Sequence, residues 1–230
     1  MFFNPTSGQG NAARSVFKKT ISGSTQIGNL KTYMNGQGYK GQRLCILEIA
    51  SGGKAYPPNT STGGIDCNHA DWNVGTQVWI LMKSGGEITG RGGASGSAGG
   101  PGIHIDTPSK GVGFCFILDS GSELNGGGGG GSTGAHGGSC TNYGGKFCDG
   151  SSCSCPGGAG GTGYGPNAAT SGSGGTSCSC SGGCGSCAGG TGVSGGTKGT
   201  ASTYAAGNAS TGKANAALWA NNATVNGSES

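Results

Sequence analysis

Hydrophobic positions gather in a few short runs separated by polar and glycine-rich stretches. The densest are Leu44-Cys45-Ile46-Leu47-Glu48-Ile49 and Thr76-Gln77-Val78-Trp79-Ile80-Leu81-Met82. Gly, Pro and Asn bound both, and their length and β-branched content predict strands. Pro57-Pro58-Asn59 and Gly63-Gly64 mark loops between them. Ala12 to Lys19 predicts a short helix with a basic patch at Arg14, Lys18 and Lys19. The longest apolar run, Val78 to Met82, is far too short to span a bilayer. The N-terminus, Met1-Phe2-Phe3-Asn4-Pro5, has neither the basic nor the long apolar part of a signal peptide.

The strand pattern repeats. Val78 to Gly90 is followed by a similar segment, Phe114 to Gly126. Each reads as an apolar strand, a Ser-Gly turn, a Glu-apolar-polar step and then a glycine run. A worn third copy runs from Ala217 to Gly227.

Between and after these copies glycine falls at every third position: Gly90, Gly93, Gly96, Gly99 and Gly102, then Gly128, Gly131, Gly134 and Gly137. A period of three is neither helical nor strand-like and matches polyproline II geometry. Backbones without side chains approach closely, and their N–H and C=O groups need partners when buried. The chain is therefore expected to be mainly β and irregular. A small N-terminal β region precedes a bundle, or sandwich, of polyglycine II helices with short strands, and α-helix is almost absent. The expected divisions are an attachment arm at 1–30, a small β domain at 31–89 and a glycine-rich domain at 90–230 with Cys-rich loops at 139–187.

Composition narrows the functional classes. Glycine supplies 57 of 230 residues, while only 32% are hydrophobic and 10% charged, so a conventional core is small. The net charge of +4 is spread thinly and forms no clustered basic face, which argues against nucleic acid as a partner.

Of eleven cysteines, Cys45 and Cys115 lie in apolar strands and read as small buried hydrophobes, and Cys67 sits in a loop beside His69. The other eight are Cys140, Cys148, Cys153, Cys155, Cys178, Cys180, Cys184 and Cys187. A region poor in core residues gains from cross-links, so these are disulfide candidates. Both residues of a Cys-x-Cys pair point to one side of an extended chain. Cys153/Cys155 and Cys178/Cys180 on neighbouring segments would then form a disulfide ladder. The rival reading gives Cys178, Cys180, Cys184 and Cys187 to a zinc ion, although no knuckle or ribbon pattern flanks them.

No arrangement reads as a catalytic site, and no cofactor motif is present. The cluster Cys67-Asn68-His69 with Asp71 reads as a surface loop. The glycine runs lack the Gly-Lys-Ser/Thr ending of a phosphate-binding loop. Recognition remains. Tyr143, Phe147 and Tyr164, with His136, stand among Gly and Ser as candidate contact residues, in the manner of Tyr on rigid antibody-type loops. The competing reading has the aromatics covering helix ends.

The order Asn29-Leu30-Lys31-Thr32-Tyr33 followed by Gly36-Gln37-Gly38-Tyr39 resembles the opening of glycine-rich bacteriophage tail proteins. Trp79 to Gly93 and Phe116 to Gly130 resemble that family's strand and glycine element, and Gly212-Lys213-Ala214 with Val225-Asn226-Gly227 resemble its tail. The eleven cysteines depart from the pattern. The resemblance implies a virion protein of the phage tail, assembled in the host cytoplasm and similar to the receptor-binding distal-fibre adhesins of T-even-like phages. The implied partners are other tail proteins through the N-terminal region and a host surface protein or glycan. The implied assembly is a homo-oligomer such as a trimer, or a monomer on a trimeric fibre. A structural virion component cross-linked through cysteines is the alternative, and an ice-binding or extracellular Gly-rich protein a third.

Overall fold

The computed structural model describes residues 16–105, 111–134, 157–174, 177–179, 186–188, 191–198, 200–203, 205–206, 210–212, 217–220 and 224–226. Its framework is three parallel sheets wound turn upon turn. The first turn supplies β1 (Val16–Ile21), β2 (Ser24–Gln26) and β3 (Gly28–Asn29), followed by α1 (Leu30–Gly36). The second supplies β4 (Leu44–Ile49), β5 (Lys54–Tyr56) and β6 (Ile65–Cys67). The third supplies β7 (Gln77–Met82), β8 (Glu87–Thr89) and β9 (Ile103–Ile105). Then come β10 (Gly113–Leu118) and β11 (Glu123–Asn125), the antiparallel pair β12 (Ser177–Ser179) and β13 (Ser186–Ala188), and finally β14 (Ser210–Gly212), β15 (Ala217–Ala220) and β16 (Thr224–Asn226).

Each of the first four turns gives one strand to each sheet, and β15 and β16 extend the first two sheets by one more. The first sheet runs β1-β4-β7-β10-β15, the second β2-β5-β8-β11-β16 and the third β3-β6-β9-β14. Parallel pairing of this kind needs a crossover between neighbours, and here the other two sheets are the crossover. The repeat seen in the sequence is one turn of this coil: Val78 pairs with Phe114 and Glu87 with Glu123.

Alternation with period two sorts the residues. In β4, β7 and β10 every second side chain is buried, stacking Cys45, Val78 and Phe114, then Leu47, Ile80 and Phe116, then Ile49, Met82 and Leu118. Ala55, Ile88 and Leu124 form the matching row of the second sheet, and Ile65 and Ile103 that of the third. These rows meet in one core. α1 adds Leu30 and Met34 to it, and the Asn29 side chain caps the helix by accepting from the Thr32 N–H at 2.8 Å. Edge-to-face contacts join Phe17, Tyr39, Trp72 and Phe114 in a chain of rings.

Three sequence expectations need correction. The organising structure is a three-sheet, mostly parallel α/β arrangement with one regular helix, and not a sandwich of polyglycine II helices. Glycine spacing speaks only for the segments that carry it, whereas the sheets are set by the apolar rows. Val16 to Ile21 is a strand and not the end of a helix, because pairing with β4 places Phe17 and Ile21 inward and Lys18 and Thr20 outward. Cys67 and His69 do not belong to a surface loop, since both are buried.

Around 90–100, 127–134, 157–174, 191–198 and 200–203 the chain is outside helix and strand, and these segments bond side by side through their backbones. Gly93 N–H donates to the Gly128 carbonyl, Gly163 N–H to Gly93, and Gly161 N–H to Val193, all at 2.8–2.9 Å. A Cβ on Gly161 would fall on the Thr170 carbonyl oxygen. At the turns between first and second sheets, Gly85 has φ +75°, and a Cβ there would lie 2.9 Å from Ser51 Oγ.

Gly85→Ala is expected to lose about 1–2 kcal/mol through its left-handed backbone, and Phe116→Ala about 3–5 kcal/mol through the cavity it leaves. Gly23→Ala, with open space around its site, is the control. Urea unfolding of the three variants orders them.

Candidate functional site

Two features stand out, one polar and one apolar, on different sheets. The polar one starts from register. Glu87 of β8 pairs directly with Glu123 of β11, and neighbouring strands are only about 4.8 Å apart. Two carboxylates so placed repel unless cations join them. Lys54, paired with Glu87 from the other side, reaches Glu87 Oε2 at 3.2 Å. Lys198 binds Glu123 Oε2 from the glycine-rich part. Asn125 Nδ2 donates to Glu87 Oε1 at 2.8 Å.

Tyr164 completes the cluster. Its hydroxyl donates to Glu87 Oε1 at 2.8 Å and accepts from Lys54 Nζ at 3.0 Å. The ammonium groups of Lys54 and Lys198 lie over its ring, 4.7 and 5.3 Å from the centroid. Burial, and after it the Glu87 carboxylate, pushes the Tyr164 hydroxyl well above the ordinary tyrosine range. The hydrogen bond from Lys198 holds the Glu123 carboxyl below the usual carboxylate range, with burial opposing it. A recess of about 210 Å³ lies beside Glu87, Glu123 and Lys198.

This chemistry suits a clasp. General acid–base work by two carboxylates requires one of them to stay protonated near neutral pH. Here Glu123 is kept charged and Glu87 already holds a cation, a tyrosine proton and an amide. The cluster ties the glycine-rich segments to the second sheet.

The apolar feature is the outer face of the first sheet. The positions that alternate with the buried rows place Leu44 beside Gln77, Ile46 beside Trp79 and Cys115, and Leu81 beside Ile117. Trp79 is 37% exposed, and the others except Gln77 are half-buried. The charged groups here are paired: Lys18 with Glu48 at 2.8 Å, and Lys83 with Asp119 at 3.1 Å. Outer positions of the other sheets are polar by contrast. They carry Lys54, Glu87 and Glu123 on the second sheet, and Asp66 and His104, joined at 2.7 Å, on the third.

Of the contact residues picked from sequence, Tyr164 is in the clasp, engaged with groups of its own chain. His136, Tyr143 and Phe147 lie outside the described residues. So do Cys140, Cys148, Cys153, Cys155, Cys180 and Cys184. Cys178 and Cys187 are register partners in the antiparallel β12–β13 pair, an arrangement different from the Cys153/Cys155 ladder. Cys45 and Cys115 are free thiols, and burial pushes Cys45 up to about 12. Among the described residues no group of three or more His, Cys, Asp or Glu is placed to hold a metal. No helix among them is long and apolar enough to cross a membrane.

No family model, no curated protein and no solved structure matches the chain. The resemblance to phage tail proteins is therefore overturned, and with it the tail-fibre adhesin, the virion scaffold and the ice-binding or extracellular alternatives. The motifs behind it are small: Asn29-Leu30 is the start of a capped helix, and Trp79 to Gly93 is part of one turn of the coil. The disulfide reading likewise finds no support among the described cysteines. Sequence reasoning passed over Glu87, Glu123, Lys54 and Lys198. The repeat alignment, which sets Glu87 on Glu123, was the signal available.

The pH dependence of stability follows from the two shifts. Unfolded tyrosine ionises near pH 10, roughly, while folded Tyr164 keeps its proton, so its contribution is complete below that pH and declines above it. For Glu123 the contribution is present above the unfolded carboxylate pKa and is lost as pH falls through the lower folded value. Tyr164→Phe is expected to flatten the alkaline fall in melting temperature, and Glu123→Gln the acid fall. Melting curves across pH for both variants check this.

Proposed function

We propose that the chain is a non-catalytic interaction module that docks through the outer face of its first sheet. The observation behind this reading is the asymmetry among the sheets. Two direct charged or polar groups outward, while one presents Leu44, Ile46, Trp79, Leu81 and Ile117 as contiguous rows. Such a contiguous apolar patch, exposed at Trp79 and half-buried elsewhere, suits an interaction surface. Burying it removes apolar area from water at about 25 cal/mol per Å². Glu48, beside Leu81 in the same row, is paired with Lys18, and Lys83 at the margin with Asp119. The carboxylates that would have to act in an enzyme are instead committed to ion pairs.

Cys115 sits on this face beside Trp79 and reports on it. Its alkylation, read by peptide mass spectrometry, is compared in dilute purified chain, in concentrated purified chain and in extract of the cells that produce it. The expected result is rapid labelling when dilute and protection in at least one of the other two. Buried Cys45 stays unlabelled until unfolding. Equal Cys115 labelling under all three conditions overturns the docking reading.

A further inference from the structure

We propose that a recess in the glycine-rich part, beside Arg91, is a binding site for a small carboxylate; this goes beyond the docking reading and does not depend on it. The recess has a volume of about 200 Å³. It lies between two stretches of chain, with Arg91 and Ala94 on one side and Thr162, Pro166, Asn167 and Ala168 on the other. That is room for about six or seven waters at roughly 30 Å³ each, and so for an acid of a few carbons.

The sequence marks Arg91 out. It stands in a run of Gly, Ala and Ser, and its counterpart in the next copy of the repeat is Gly127. Its Nη1 donates to the Pro58 carbonyl at 2.8 Å, which holds the guanidinium in place. The remaining N–H donors of that group have no acceptor among the described residues. Lys18, Lys54, Lys83 and Lys198 each hold a carboxylate of the chain, whereas Arg91 has none among the described residues.

The walls are fixed by backbone packing. Gly163 N–H donates to the Gly93 carbonyl at 2.8 Å, and Gly165 N–H to the Asn167 carbonyl at 2.9 Å. A Cβ on Gly92 would fall on the Gly163 carbonyl oxygen, and one on Gly165 would crowd the Gly92 nitrogen. The recess is therefore formed before a ligand arrives, and little ordering entropy opposes binding.

Charge and shape select the ligand. One planar guanidinium matches one carboxylate through two parallel N–H···O bonds. No second cation, which a doubly charged phosphate would favour, lines the recess among the described residues. Asn167 adds an amide, and Ala94, Pro166 and Ala168 give the body of the acid apolar surface. Arg91 is exposed, so solvent screening keeps the affinity modest, with Kd on the order of 1 mM.

NMR titration of the isotope-labelled full chain with acetate, L-lactate and N-acetylglycine at constant ionic strength tests the proposal. The expected result is saturable movement of the Arg91 Nε–Hε signal and of the Gly92 and Gly163 amides by at least one acid. The neutral counterparts L-lactamide and N-acetylglycinamide are expected to move none of them. Tightest binding of N-acetylglycine would identify a peptide C-terminus as the source of the carboxylate, and tightest binding of lactate a free hydroxy acid. Arg91→Gln is expected to weaken binding about tenfold or more, while Arg43→Gln, at an exposed cation outside the recess, leaves it unchanged. If Arg91→Gln does not fold, Ala168→Phe fills the recess, keeps the charge and is expected to abolish binding. No saturation by any acid overturns the inference, as does an equal response to the neutral amides or unchanged binding in the folded variants. Phosphate bound as tightly as the acids overturns the carboxylate assignment.

Discussion

Every strand in the three sheets lies on its counterpart from the turn before, in strict register. This constraint governs the rest of the molecule, because it multiplies whatever a position contains. An apolar residue facing inward becomes a row, as Leu47, Ile80 and Phe116 do. A charge facing outward meets the same position one turn away and must find an opposite there. Asp66 finds His104 and Lys83 finds Asp119, while Lys18, opposite Ile46, reaches diagonally to Glu48. At Glu87 and Glu123 the rule is broken, and there the structure recruits Lys54 from one turn and Lys198 with Tyr164 from far along the chain.

Parts of this were legible beforehand. Leu44–Ile49 and Gln77–Met82 declare themselves as strands because each is six residues long and largely apolar. The internal repeat between Val78 and Gly126 was visible too, and it corresponds to one turn of the coil. What stayed hidden has physical causes. β5, β8 and β11 have only three residues each, too few for a period to show. β1 contains Lys18 and Lys19, and its strand state depends on pairing with β4, a partner its own residues do not specify. α1 is a single short helix whose signal, the Asn29 cap, was absorbed into a motif reading. Glycine period dominated attention because it is local and dense, whereas sheet register is a property of residues far apart.

The candidate surfaces divide the same way. Tyr164 was noticed for its isolation among small residues, and isolation in sequence turned out to mean the reverse in space. Its ring and hydroxyl are enclosed by groups from two other turns. The apolar outer face escaped notice because Ile46, Leu81 and Ile117 occupy runs that look wholly interior. Alternation within a continuous apolar run cannot be read until one face is known to be outside. The sheets of this coil therefore differ less in backbone than in what each directs outward.

The spacing of the turns is uneven. β4, β7 and β10 follow one another closely, yet the next strand of that sheet, β15, begins only at Ala217. During synthesis the early turns can stack as they emerge, each upon a finished template. The open edge of β10 must then wait while residues 119–216 are made, with its N–H and C=O groups unclaimed. Closing so long a loop is entropically slow to begin, though only modestly costlier once formed. The last turn thus docks late, and until it does the edge of β10 is open to pairing with another chain.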